Sequence, residues 1–330
     1  MVYNKYIGII GGTGTIGSII VKYLLQLQTH FHVLIGGRRS IKEISMSTFY
    51  NSERLKYNQM NYNNDVELDN FCSQCLLVIN AVGPSFKIND KIALHALRNN
   101  CHYIDIGGYG ILRDLLKPYE KSIEAQKLCF IIGVGWMPGI SGVFSKTIIE
   151  THLNSPENTN FNIYYGAVDN WSYSSTYDLA ASSMGKTRSY VYSHGKEIQV
   201  SPFRYTHHKF FPFIGHKKIC MPSFDEQLTQ LATSLKQIRK ISTFIMLNDY
   251  ISMGKFMFIK IFYKHNLNKA TLMLQDDYQR LVKKENKWGS VICQVSKIEP
   301  ERKIDTFYYL YTKNSQKNGK IWINKVSVWY

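Results

Sequence analysis

Proline and cysteine are both scarce in this sequence of 330 residues, at eight and six copies. With so few prolines and only 22 glycines, no Pro/Gly-rich linker, low-complexity tract or collagen-like repeat is present, which excludes fibrous and linker-dominated architectures. Six scattered cysteines do not make a disulfide scaffold. Only Cys72 and Cys75 form a CxxC pair, and no second CxxC or His pair stands at zinc-finger spacing. That pair precedes a strand pattern rather than following one, so it reads as two partly buried thiols on an amphipathic helix. His207–His208 lacks a spaced acidic or Cys partner, and no metal site is expected. Long apolar runs are also missing. The most apolar stretch, Thr243–Tyr263, is interrupted by Asn248, Asp249, Lys255 and Lys260, so no membrane span is expected. The opening MVYNKYIGIIGG enters a strand pattern at once and leaves no room for a signal peptide, which makes a cytoplasmic protein the expectation.

Acidic residues are outnumbered, 24 against 40 basic ones, for a net charge of +16. The excess is uneven, about +4 over residues 1–150 and +12 over 151–330. No basic-plus-aromatic motif accompanies it, so nucleic acid is not the expected partner. Solvated lysine explains the bias, and attraction of an acidic partner to the second half is the alternative. The hydrophobic fraction of 45% is ample for a core, and the length suggests two domains, expected at residues 1–150 and 151–330.

Over residues 1–135 short apolar runs alternate with helical patterns, the signature of βαβ units and a parallel sheet. Strands are expected at Tyr6–Ile10, Phe31–Ile35, Arg54–Asn61, Leu76–Ala81, His102–Ile106 and Cys129–Gly133. Helices are expected after the first glycines, with Ile16, Ile19, Ile20, Tyr23, Leu24 and Leu27 on one face, and at Asp65–Cys75, Ile88–Asn99 and Leu112–Lys127. The fold class is α/β: an N-terminal doubly wound parallel sheet, followed by a second α+β domain on a mainly antiparallel sheet. In the second part, strands are expected at Asn162–Val168, Lys287–Ser296 and Lys303–Thr312. Ser189–Ser193 and Lys196–Val200 read as a hairpin about His194–Gly195, and Asp225–Lys240 reads as a helix.

Gly12, Gly14 and Gly17 form GxGxxG between a strand and an amphipathic helix, the context in which the motif is informative. Gly12 is expected to permit a tight turn, Gly14 close backbone approach to a pyrophosphate, and Gly17 close packing of the helix on the sheet. The helix N-terminus then offers free N–H groups to the phosphates. The candidate cofactor residues in this loop are Gly12, Thr13, Gly14, Thr15, Ile16 and Gly17. Twenty residues after Gly17, where an NAD-binding domain usually carries Asp or Glu, stand Gly37, Arg38, Arg39 and Ser40. A carboxylate would repel a 2′-phosphate, whereas arginine grips it, so the expected cofactor is NADP(H). Ala81, Val82 and Gly83, after the fourth strand, complete the cofactor set. Asp105 and Tyr109, at the end of the fifth strand, are expected to face the nicotinamide side.

In order and spacing, GGTGTIG, VINAVGPS (Val78–Ser85), the helix ending in His95–Cys101, HYIDIGG (His102–Gly108) and PGISG (Pro138–Gly142) resemble the saccharopine dehydrogenase-like oxidoreductases. A Ser/Thr-rich stretch (Ser172–Ser183), the hairpin about Gly195 and Phe211–Gly215 continue the likeness to about residue 240. The resemblance implies a Rossmann domain followed by an α+β substrate domain, and usually NADPH-linked reduction of imines, with other members acting on enoyl or keto groups. Met137 stands where the family often has Asp before Pro, which weakens the case for a saccharopine-type amino-acid substrate. The chain ends at Tyr330 without the closing segment of longer members, so the bifunctional lysine-degrading enzyme is not expected.

The leading function is therefore an NADPH-dependent imine reductase. Asp105, Tyr109, Tyr173 and Thr176 are its candidates for proton relay or orientation. An enoyl or ketone reductase and a non-catalytic NADP-sensing regulator stand as alternatives. The expected partner is a small-molecule substrate, acidic or tethered to an acidic carrier protein, and a homo-oligomer is compatible with the sequence. Two YxxxK spacings, Tyr192–Lys196 in the hairpin and Tyr309–Lys313 in a strand, lie on the wrong elements for short-chain-dehydrogenase chemistry.

Overall fold

The computed structural model describes residues 5–27, 30–40, 52–107, 110–153, 158–184, 189–211, 213–223, 226–298, 303–313 and 320–329. The chain divides into two compact units, Met1–Gly135 and Trp136–Tyr330.

The first unit runs β1 (Tyr6–Ile10), α1 (Thr15–Gln26), β2 (Val33–Gly37), β3 (Leu55–Gln59), α2 (Asp65–Ser73), β4 (Cys75–Asn80), α3 (Ser85–Ile88), α4 (Lys91–Arg98), β5 (His102–Asp105), α5 (Gly110–Leu116), α6 (Glu120–Ala125) and β6 (Phe130–Ile131). Its sheet is ordered β3-β2-β1-β4-β5-β6, with every pairing parallel. This is the doubly wound sheet that the alternating pattern implied. Alternate residues of each strand feed opposite faces. Ile9, Ile35 and Ile79 pack with Val21 of α1, while Ile10, Leu34 and Val78 pack with Leu68 and Phe71 of α2 and Ile92 and Ala96 of α4. Phe71 packs against the strands where Gly8 and Gly36 leave room, a Cβ at either coming within 2.9 Å of its ring.

Several expected boundaries change for identifiable reasons. The second strand begins at Val33 rather than Phe31. The helix expected at Ile88–Asn99 is broken at Asn89, whose φ of 53° no helix accommodates. The one expected at Leu112–Lys127 is interrupted by a single 3₁₀ turn, Lys117–Tyr119, around Pro118. On α1, Ile20 and Leu24 join the core, but Ile16, Ile19, Tyr23 and Leu27 are exposed. Apolar side chains surround most of that helix, so its period alone did not select the inward face.

The CxxC pair is also buried more deeply than expected. Cys72 lies on α2 but Cys75 opens β4, and the Cys101 thiol donates to the backbone carbonyls of both. Burial first, then the neighbouring Cys101 thiol, pushes Cys75 up to about 12, while burial pushes Cys101 up to about 11. Inert thiols are the consequence.

The second unit runs α7 (Ile140–Glu150), β7 (Thr159–Val168), α8 (Tyr173–Met184), β8 (Tyr190–Ser193), β9 (Lys196–Gln199), α9 (Pro202–Tyr205), β10 (His207–Phe211), β11 (His216–Pro222), α10 (Glu226–Ser234), β12 (Lys240–Leu247), α11 (Tyr250–Phe262), α12 (Leu267–Lys284), β13 (Trp288–Ile298), β14 (Lys303–Lys313) and β15 (Lys320–Trp329). Its sheet is ordered β10-β11-β12-β7-β13-β14-β15, with β8 on β12 and β9 on β8. Only β12 and β7 pair in parallel; the other pairings among described residues are antiparallel. His194 and Gly195, both at positive φ, make the hairpin turn between β8 and β9. The apolar stretch Thr243–Tyr263 is the end of a strand followed by a helix, separated by Asn248 and Asp249. No helix among the described residues is long and apolar enough to cross a membrane.

The unit boundary falls at Gly135, not at residue 150. The reason is α7, whose Phe144 and Ile149 pack against Phe161, Val291 and Leu228 of the second core. The Gln227 side-chain Oε1 also accepts the Gly139 amide at 2.8 Å just ahead of α7.

Candidate nucleotide site

Three stretches meet at the carboxyl edge of the first sheet, around β1, where the strand order reverses. Gly11, at φ +83°, turns the chain out of β1, and a Cβ there would lie 2.9 Å from the Ala81 carbonyl and 3.0 Å from the Val82 side chain. The glycine loop is thus packed on the Ala81–Gly83 loop after β4. On its other side, a Cβ at Gly37 would lie 3.6 Å from the Thr13 hydroxyl and 3.1 Å from that of Tyr57. All three candidate cofactor stretches are therefore neighbours.

The glycines have distinct parts. The turn expected at Gly12 is made by Gly11, whose φ is positive where that of Gly12 is not; the doubled glycine at the strand end is its signal. Gly12 lies against Ile35, where a Cβ would come within 2.7 Å. At Gly17 a Cβ would fall 2.2 Å from the Gly11 carbonyl oxygen, so this residue lets α1 sit against the loop. Gly14 differs, since a Cβ there meets only the Gly11 carbonyl oxygen, at 3.2 Å, and otherwise points into open space. No side chain caps α1, as none caps α4 or α7, so its first N–H groups have no side-chain acceptor beside the open Gly14. An open cradle against uncapped N–H groups is what a pyrophosphate requires, so the residues present fit a dinucleotide.

Gly37 ends β2, and Arg38 and Arg39 follow with exposed side chains. The hydroxyl of Tyr57 on β3 lies 2.9 Å from the Gly37 carbonyl oxygen and 2.6 Å from that of Arg39, and Gln59 donates to the Arg38 carbonyl at 3.4 Å. Neither Tyr57 nor Gln59 was among the sequence candidates, because their reach depends on the β2–β3 pairing.

Asp105 is buried at the end of β5. One carboxylate oxygen accepts from Asn80 Nδ2 at 2.8 Å and from the Tyr103 hydroxyl at 2.6 Å, and the other accepts from the Gly107 amide at 2.8 Å. Asn80 Oδ1 in turn accepts the Val82 amide at 3.0 Å, which fixes the loop after β4. Burial, reinforced by the Asp105 charge, pushes the Tyr103 hydroxyl well above its ordinary range. Asn80, Asp105, Ser85, Phe86, Asn89 and Ile111 line a small cleft at this edge. Tyr109 lies outside the described residues. Tyr173 and Thr176 are in the second unit, at the start of α8. The Tyr173 hydroxyl donates to Asn268 at 2.9 Å, and the buried Thr176 hydroxyl donates to the Ser172 carbonyl at 2.9 Å. Among the described residues no group of three His, Cys, Asp or Glu side chains is placed to hold a metal ion.

Sheet order and glycine cradle are those of a Rossmann dinucleotide-binding domain, the fold of an NADP-dependent oxidoreductase. More particularly, residues 7–129, within the first unit, match the family model of the saccharopine dehydrogenase NADP binding domain. No curated protein matches the chain. Among solved structures, biliverdin reductase in complex with biliverdin and NADP+ from Synechocystis sp. PCC 6803 is 10% identical, covering 97% of this chain and 84% of its own at a TM-score of 0.43. A putative myo-inositol dehydrogenase from Sinorhizobium meliloti 1021 is 8% identical over 74% of this chain and 70% of its own, TM-score 0.42. A short-chain dehydrogenase/reductase from Veillonella parvula DSM 2008 in complex with NADP is 19% identical over 39% and 67%, TM-score 0.29. Likenesses this distant say nothing of the substrate.

Proposed function

We propose that the protein uses NADPH to reduce the C=N bond of an imine that is small or tethered to an acidic carrier. The observation that carries the cofactor half of this reading is an uncapped α1 N-terminus beside Arg38 and Arg39 in one unit. In this reading Gly12–Gly17 and Ala81–Gly83 receive the pyrophosphate and nicotinamide riboside, and Gly37–Ser40 receive the 2′-phosphate. Residues after Gly135 form the substrate unit, and their basic excess favours an acidic substrate.

Bound NADPH would supply the hydride. An imine that is already protonated needs no acid from the chain when hydride arrives, only orientation and a site that tolerates a cation. Asp105 suits that demand. With both oxygens accepting protein donors, it holds Asn80, and through it the Val82 amide, in one arrangement at the edge of the sheet. Tyr109, Tyr173 and Thr176 remain the candidates for moving or holding a proton on the substrate side.

The test is a screen of NADPH oxidation against carboxylated imines, ketones and enoyl thioesters. Turnover of imines is expected. Turnover confined to ketones or enoyl thioesters would replace the imine with the second enzymatic reading. Tight NADPH binding with no turnover of any class would favour a regulator.

A further inference from the structure

In an extended strand successive carbonyls point to opposite edges. At the end of β2 they do not: the Gly37 carbonyl accepts the Met60 amide at 2.8 Å as well as the Tyr57 hydroxyl, the Arg39 carbonyl accepts the same hydroxyl, and the Arg38 carbonyl between them is drawn to that side by Gln59. The Tyr57 hydroxyl shares its one proton between the first and third, and Gln59 takes the second. Tyr57 and Gln59 are two residues apart on one strand and so occupy one face. The Tyr57 ring packs with Ile9, Val21 and Ile35, which fixes the height of its hydroxyl. The C=O and N–H of a planar trans peptide are antiparallel. Drawing three consecutive carbonyls toward β3 therefore turns the N–H groups of Arg38, Arg39 and Ser40 the other way. The glycine loop is close by, the Thr13 hydroxyl lying 3.6 Å from where a Gly37 Cβ would stand. Successive N–H groups turned to one side form a concavity that binds anions.

We propose that Tyr57 is the positioning residue for the 2′-phosphate of NADP(H). Its hydroxyl fixes a turn whose backbone N–H groups, together with the guanidinium groups of Arg38 and Arg39, receive that phosphate. The proposal rests on the assignment of Gly37–Ser40 to the 2′-phosphate and deepens it. Selectivity then has two sources that behave differently. The guanidinium groups contribute long-range charge that salt screens, and the turn contributes geometry that salt leaves alone.

The test titrates the full chain calorimetrically with adenosine 2′,5′-bisphosphate and with 5′-AMP, which isolate the 2′-phosphate without any turnover. Tyr57→Phe keeps the ring packing and removes only the hydroxyl. It is expected to weaken the bisphosphate about tenfold, roughly 1.4 kcal/mol, and to leave 5′-AMP within about twofold. The double variant Arg38→Ala/Arg39→Ala is expected to keep a residual preference for the bisphosphate at physiological salt, and adding Tyr57→Phe to remove it. If Tyr57→Phe leaves the ratio of the two affinities at the wild-type value, or weakens both ligands equally, while the arginine variant lowers that ratio, the positioning role is overturned and the assignment stands. If the wild-type protein does not prefer the bisphosphate, the assignment of Gly37–Ser40 fails and the role of Tyr57 fails with it.

Discussion

Gly14 and Gly17 belong to one motif, yet the structure separates what each does, and one methyl group at either position tests that separation. A Cβ at Gly17 would sit 2.2 Å from the Gly11 carbonyl oxygen and 2.8 Å from both the Gly11 carbonyl carbon and the Gly12 Cα, all backbone atoms. Nothing in that set can swing aside, so α1 or the loop must move. Overpacking typically costs 1–3 kcal/mol, and a backbone overlap this deep places Gly17→Ala at about 3 kcal/mol or more. Gly14 has φ −81° and ψ 175°, which any residue adopts, and its Cβ would be tight only against the Gly11 carbonyl oxygen, by a few tenths of an ångström. That strain is offset by the ~0.4–1 kcal/mol that Gly→Ala gains from a less flexible unfolded chain. Gly14→Ala should therefore unfold in urea within about 0.5 kcal/mol of wild type. Its methyl group would occupy the cradle, and calorimetry should show NADPH and NADH weakened alike, by roughly tenfold or more. A Gly14→Ala protein that binds both cofactors normally would show that the phosphates lie elsewhere. A Gly17→Ala protein as stable as wild type would refute the packing argument.

Other consequences follow from the same geometry. Phe71 is wholly buried over Gly8 and Gly36, so Phe71→Ala should destabilise the first unit by about 3–5 kcal/mol in chemical denaturation. In the second unit, burial alone would raise Asp249, but the paired Arg280 and the Ser252 amide outweigh it and hold the carboxyl at about 2. Because this is below the unfolded value of about 3.9, the stabilisation is present above about pH 4 and is lost as pH falls toward 2. After screening it should be on the order of 1 kcal/mol, seen as a fall in Tm that Asp249→Asn lacks. Finally, if the basic second half steers an acidic substrate, kcat/KM should fall with rising salt while kcat holds, and a neutral analogue reacting with the same salt response would remove the steering argument.

The sequence exposed the first unit almost completely because its signals are local. Strand, glycine loop and amphipathic helix follow within one βαβ unit, and the arginines stand at a fixed interval from the glycines. The second unit was less legible. β10 and β11, His207–Phe211 and His216–Pro222, carry His and Lys where a buried strand normally carries aliphatic residues, so no clean period marks them. The buried Lys218 stays on its strand because Asn248 and Glu285 reach its ammonium group, at 2.6 and 3.1 Å. Those residues are remote in sequence. α11 and β12 were hidden inside one apolar stretch for a related reason, since hydrophobicity reports burial but not which element is buried.

The sequence by itself determined the parallel sheet, the place of the glycine loop and the NADP-binding class, since turn glycines, helix termini and charge act over a few residues. Only the tertiary structure decided which glycine makes the turn, that Asp105 is tied to Asn80 and Tyr103, that α7 belongs to the second core, and that Tyr57 reaches the carbonyls beside Arg38 and Arg39. Each of these is a contact between elements, and its distance is set by sheet register and packing.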